Sequence, residues 1–127
     1  MAKRPPQCSG SVLLVDNEDN RRITMKWFLT SFGLVVDSAR CAEEALALFD
    51  PKVHDLVVTD NAMRGMSGHE MAYVIKLRSP STPVVLCTSR PPEDMSQVDA
   101  VLAKPVHLLA VKDAVTQLLM EKSASVI

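Results

Sequence analysis

Net charge is nearly absent from this chain: 14 Lys and Arg stand against 15 Asp and Glu, leaving −1 at pH 7. That balance gives no electrostatic case for nucleic acid or an anionic membrane as partner. Long apolar runs are missing as well, and none approaches the roughly 20 residues that a membrane-spanning helix needs. The basic start, Met1 to Gln7, lacks the following apolar segment of a secretory signal and reads as a frayed tail or linker. Cysteine is scarce. Cys8, Cys41 and Cys87 are odd in number and without metal-ligand spacing, which argues for reduced thiols in a cytoplasmic protein. Cys87 sits inside an apolar run and is expected to be a small core residue. Internal repeats are absent too. The loop after the first apolar run, Asp16-Asn17-Glu18-Asp19, has none of the small or glycine-rich residues that cradle phosphate. A nucleotide-binding enzyme is therefore the weakest of the functional classes.

What is present suits one compact domain. Hydrophobic residues make up 47% of 127, enough to exclude general disorder and to build a core. Short apolar runs alternate with helical stripes along the whole chain. After Val12-Leu13-Leu14-Val15 comes a helix expected from about Asn20 to Phe32, striped by Met25, Phe28, Leu29 and Phe32 and ended by Gly33. A second strand is expected over Leu34 to Asp37. The next helix carries Ala42, Ala45, Leu46 and Phe49 on one face and closes at Asp50-Pro51. The third strand spans Asp55 to Thr59, and its helix places Met71, Val74 and Ile75 inward. A fourth strand, an irregular piece and a fifth strand precede a last helix from Leu108 to Glu121, striped by Leu108, Val111, Val115 and Leu118. Strands alternating with helices indicate a parallel sheet covered on both faces.

The polar residues at the strand ends carry the chemistry. The first strand runs into Asp16, the third into Asp60, the fourth into Thr88, and Val101-Leu102-Ala103 into Lys104-Pro105. Ligands of open α/β sheets bind at that edge. Two carboxylates, a hydroxyl and an ammonium converging there could hold a cation and a phosphoryl group. Singly, each carboxylate would more simply cap a helix or meet solvent. As a set ending four strands, they form a site.

These residues, with Met63-Arg64-Gly65-Met66-Ser67-Gly68 after Asp60 and Thr88-Ser89 after the fourth strand, resemble the receiver domain of two-component response regulators. The likeness runs from about Ser11 to Glu121, within a domain taken as residues 11–122 between tails 1–10 and 123–127. It implies a flavodoxin-like five-stranded parallel sheet of order 2-1-3-4-5. It also implies that Asp60 takes a phosphoryl group from a histidine kinase or phosphotransfer protein, the domain acting as a switch and not as a conventional enzyme. Magnesium, which wants oxygen ligands, would be held by Asp60, Asn17 and the backbone carbonyl of Ala62, with Asp16 acting through water. Lys104 would pair with one phosphoryl oxygen and Thr88 would donate to another. A cis Lys104–Pro105 peptide is expected from the sharp turn there.

Four departures from the family pattern stand out. The first acidic loop reads Asp16-Asn17 where two carboxylates are usual. A register displaced by one would make Asp16 the direct ligand and Val15 the missing acid, but the core stripe of the first helix favours the undisplaced one. Val101 replaces the usual aromatic switch residue. Ser89 to Asp99 is several residues shorter than the usual crossover, so the fourth helix should be reduced to one turn or missing. Two prolines make this stretch a candidate mobile loop, with Thr88 and Arg90 the contacts nearest the site. Arg64 replaces a proline and reads first as an exposed loop residue. The alternative to phospho-acceptance is a degenerate receiver acting as a protein-interaction module, either stand-alone or part of a hybrid sensor kinase. His54, His69 and His107 lack metal-like spacing and read as solvent-facing or locally hydrogen-bonded.

Overall fold

A computed structural model describes residues 9–124. Met1 to Cys8, most of the expected N-terminal tail, and residues 125–127 of the C-terminal one lie outside the described residues. The elements follow in the order β1 (Ser11–Val15), α1 (Asp19–Thr30), β2 (Val35–Ala39), α2 (Ala42–Leu48), β3 (Leu56–Asp60), α3 (Gly68–Arg78), β4 (Val84–Thr88), β5 (Ala100–Ala103) and α4 (Leu108–Ala124). All strand pairs are parallel, in one five-stranded sheet of order β2-β1-β3-β4-β5. This is the flavodoxin-like arrangement expected from the resemblance.

Alternation along the strands divides the core into two layers. Val12 and Leu14 of β1, Leu56 and Val58 of β3, and Val85 and Cys87 of β4 pack with Leu29 of α1 and with Val111, Val115 and Leu119 of α4. Their neighbours Leu13, Val15, Val57 and Val84 face Ala42 and Ala45 of α2 and Met71, Ala72 and Ile75 of α3. Because β1, β3 and β4 are covered on both faces, they read as continuous apolar runs. Full burial of each such side chain contributes about 1.5–3 kcal/mol, and this packing pins the strand ends.

Element boundaries move by a few residues from those expected. α1 begins at Asp19, capped by Glu18, whose carboxylate accepts from the Asn20 and Arg21 amides. β2 is displaced toward Ala39, and β3 extends to include Asp60 itself. Gly33 takes φ 95° after α1, a left-handed conformation that suits glycine. Among the described residues no helix lies between β4 and β5, as the short crossover requires.

That crossover is strapped down at its far end. His69 Nε2 meets the Asp94 carbonyl at 2.7 Å, and Asp99 Oδ2 accepts from Lys76 Nζ and from the Val84 amide, both at 2.7 Å. Ser89 to Pro91, the stretch next to the site, is exposed. His54 takes the second of its two expected states, a local hydrogen bond: Nδ1 accepts from the Asp50 amide, and Nε2 lies 2.7 Å from Asp37 Oδ2. It is 2% exposed, buried under Phe49, whose ring stacks on it.

Candidate functional site

Asp60 ends β3 at the carboxyl edge of the sheet, paired in register with Cys87 of β4. Its side chain is 3% exposed, and Lys104, just past β5, makes an ion pair with Oδ1. That oxygen is fully buried and accepts no hydrogen bond. The Lys104–Pro105 peptide is cis. Asp16 follows β1, and its Oδ1 accepts from the Glu18 amide at 2.9 Å, closing a tight turn into α1. Asp16, Asp60 and Lys104 all line one cavity of about 510 Å³. Leu14, Met25, Val58, Val106 and Leu108 form its apolar wall.

Arg21 was not singled out by sequence reasoning, yet it joins this group. From the first turn of α1 it grips Asp16 in a two-pronged pair, Nε to Oδ2 and Nη2 to Oδ1, both at 2.9 Å. The same Nη2 reaches Asp60 Oδ2 at 3.5 Å. The hydrogen bond to Asp16 makes this guanidinium more basic than usual, against a smaller opposing effect of burial. A signal was available in the sequence: an arginine five residues after a strand-end carboxylate falls in the first turn of the next helix, close to the sheet edge.

The remaining expected site residues are placed differently. Thr88 ends β4, but its hydroxyl is engaged with the backbone of Arg90, donating to the carbonyl at 3.0 Å and accepting from the amide at 3.1 Å. Asn17 is exposed and does not line the cavity, whereas Asp16 and Val15 do. Of the two loop side chains, Asp16 is the one that shares the cavity with Asp60. The core stripe of α1 is as expected, with Leu29 buried and Met25, Phe28 and Phe32 partly so. That stripe orients the helix; the Asp16 turn decides which loop side chain points inward. Ala62 and Arg64 are exposed in the loop after β3.

This loop is braced toward the sheet. The Asn61 side chain accepts from the His69 amide, its carbonyl from the Gly68 amide, and Glu43 Oε1 from the Met66 amide at 3.5 Å. Its own amide first, and then the Met66 amide, hold Glu43 below the usual carboxylate pKa range. Ser67 and Glu70 cap α3 reciprocally. On the floor of the site, burial pushes the Cys87 thiol up to about 12, and the Asp60 charge adds to it.

The donor set suits a small oxygen-seeking cation: two buried or half-buried carboxylates meet there, each already held by a basic group that a metal ion could replace. Among the described residues no group of three acidic, His or Cys side chains gathers, so further ligands would be carbonyl or water oxygens. No helix among the described residues is long and apolar enough to cross a membrane.

Known proteins share both sequence and fold with the chain. It is 30% identical over 122 residues to the autoinducer 1 sensor kinase/phosphatase LuxN of Vibrio campbellii, covering 92% of this chain and 14% of that protein. It is 32% identical over 115 residues to the response regulator protein FleR of Pseudomonas aeruginosa, covering 86% and 24% respectively. The chain spans well under half the length of these relatives. Among solved structures, the response regulator protein TrrA of Thermotoga maritima, in complex with Mg²⁺-BeF, superposes with a TM-score of 0.79 at 30% identity. That match covers 86% of this chain and 98% of the other. Residues 12–121 match the response regulator receiver domain model, and the chain belongs to that family, the phospho-accepting module of two-component signalling.

Proposed function

We propose that Asp60 is the phosphoacceptor and that a histidine kinase or phosphotransfer protein is the donor, in the cytoplasm, with Mg²⁺ as the cation. The observation that carries this reading is the placement of Asp60: a buried carboxylate at the sheet edge, paired with Lys104 and opening into a cavity. In the transfer, an Asp60 carboxylate oxygen forms a bond to phosphorus as the P–N bond to the donor imidazole breaks. The imidazole keeps the bonding electron pair and takes up a proton. An acyl phosphate results, and the domain works as a switch, not as a conventional enzyme.

The site's own residues prepare this step. Lys104 screens the nucleophile and is placed to follow charge onto a phosphoryl oxygen. Thr88 can donate to the phosphoryl group only by giving up its bond to the Arg90 carbonyl, which links modification to the start of the exposed crossover. Asp16 and Asp60 would hold the divalent cation, which when bound neutralises charge between nucleophile and phosphoryl oxygens. Intact mass measurement after incubation with acetyl phosphate and Mg²⁺ tests the reading. A single phosphoryl adduct is expected on the wild type and not on Asp60→Asn. No adduct on either would leave the interaction-module reading in its place.

A further inference from the structure

The two cations at the site are not equivalent. Lys104 holds Asp60 alone, at Oδ1. Arg21 holds both carboxylates, and a single nitrogen, Nη2, lies 2.9 Å from Asp16 Oδ1 and 3.5 Å from Asp60 Oδ2. That nitrogen stands between the oxygens that would have to face a shared metal ion. The Asp16 and Asp60 charges are thus already matched by two basic groups. A divalent ion added to this arrangement would meet far less attraction than at an open acidic pair, and direct repulsion from Arg21 at the shared oxygens.

We propose that Arg21 is a resident cation of the phosphoacceptor site, so that a divalent metal enters only as the guanidinium leaves. The inference rests on reading Asp16 and Asp60 as the receiver site. The structure permits the exchange, because the Arg21 side chain is 51% exposed and can swing into water without uncovering the core. Asp16 and Asp60, at 13% and 3%, stay in place. Arg22 does not substitute for it, since its Nη2 is engaged by Asp19 and its Nη1 by the Asp16 carbonyl. The site would therefore be weakly metal-loaded at rest, and anything that draws Arg21 away, including a partner presenting an acidic group beside α1, would load it.

Metal binding by the full chain tests this without any phosphorylation. Mn²⁺, followed by electron paramagnetic resonance, should bind Arg21→Gln roughly tenfold or more tightly than wild type, from loss of a unit charge at contact distance. The gain should vanish in Asp16→Asn/Arg21→Gln. Equal or weaker binding by Arg21→Gln, including no binding by either protein, would overturn the proposal. A second measurement uses the wild type alone: the Arg21 Nε–H, held by Asp16, should exchange slowly with water without metal and quickly at saturating Mg²⁺. Protection that persists at saturation would also overturn it. A missing phosphoryl adduct on Asp60, with both metal results as expected, would reject the phosphoacceptor reading and leave the exchange standing.

Discussion

Gly68→Ala should weaken the fold at the point where it positions Asp60. Gly68 is the first residue of α3 and is buried against the chain leaving β3. A Cβ built there would lie 2.2 Å from the Asp60 carbonyl oxygen and 3.0 Å from both the Asp60 carbonyl carbon and Asn61 Cα. Ordinary carbon–oxygen contacts begin about 1 Å farther out, so backbone must move. Neither side yields readily. Asp60 is bound into a buried strand, and α3 is fixed by the Ser67–Glu70 capping box and by fully buried Met71 and Ile75. Overpacking of this kind costs about 3 kcal/mol, and the better helix propensity of alanine returns at most about 1 kcal/mol. A net loss of about 2 kcal/mol should lower the urea midpoint by roughly 1 M, given a typical denaturant slope for a domain of this size. Circular dichroism during urea titration reads it. A midpoint equal to or above wild type would refute the steric reasoning.

Asp99→Ala removes the acceptor of the buried Val84 amide and one of the two acceptors of Lys76, and should cost about 2 kcal/mol in the same titration. Iodoacetamide at pH 8 should label Cys41 and spare Cys87, followed by peptide mass mapping: with its pKa raised to about 12, the Cys87 thiol stays protonated until well above that pH. Rapid labelling of Cys87 in the folded protein would contradict its burial. Asn17→Asp, on an exposed side chain outside the cavity, should change Mg²⁺ affinity by less than about threefold, because solvent screens the added charge. A larger gain by calorimetric titration would return position 17 to the ligand shell.

Much of this architecture is legible in the sequence because burial on two faces leaves a direct trace. Val12 to Val15, Leu56 to Val58 and Val84 to Cys87 are unbroken apolar runs, and the polar residues that follow them, with those after the edge run Val101 to Ala103, lie at the sheet edge. Asp16, Asp60 and Lys104 come together for that reason. Side-chain direction within a loop leaves no such trace. Asp16 and Asn17 differ by one position, and the choice between them was made by a turn to the Glu18 amide and by Arg21. Both depend on how α1 docks. Arg21 itself looks like any charged residue on a helix surface, and its pairing with Asp60 spans 39 positions. The strap from Asp99 to Lys76 and the burial of His54 on Asp37 are likewise long-range pairings that local pattern does not encode.

The phosphoryl group is expected on one side chain alone, Asp60. After treatment with acetyl phosphate and Mg²⁺, borohydride reduces an aspartyl phosphate to homoserine, and peptide sequencing by mass spectrometry then locates it. Homoserine at position 60 and nowhere else is the expected result. Reduction at Asp16, or a phosphoryl group retained on a histidine with position 60 unmodified, would rule out Asp60 as the phosphoacceptor.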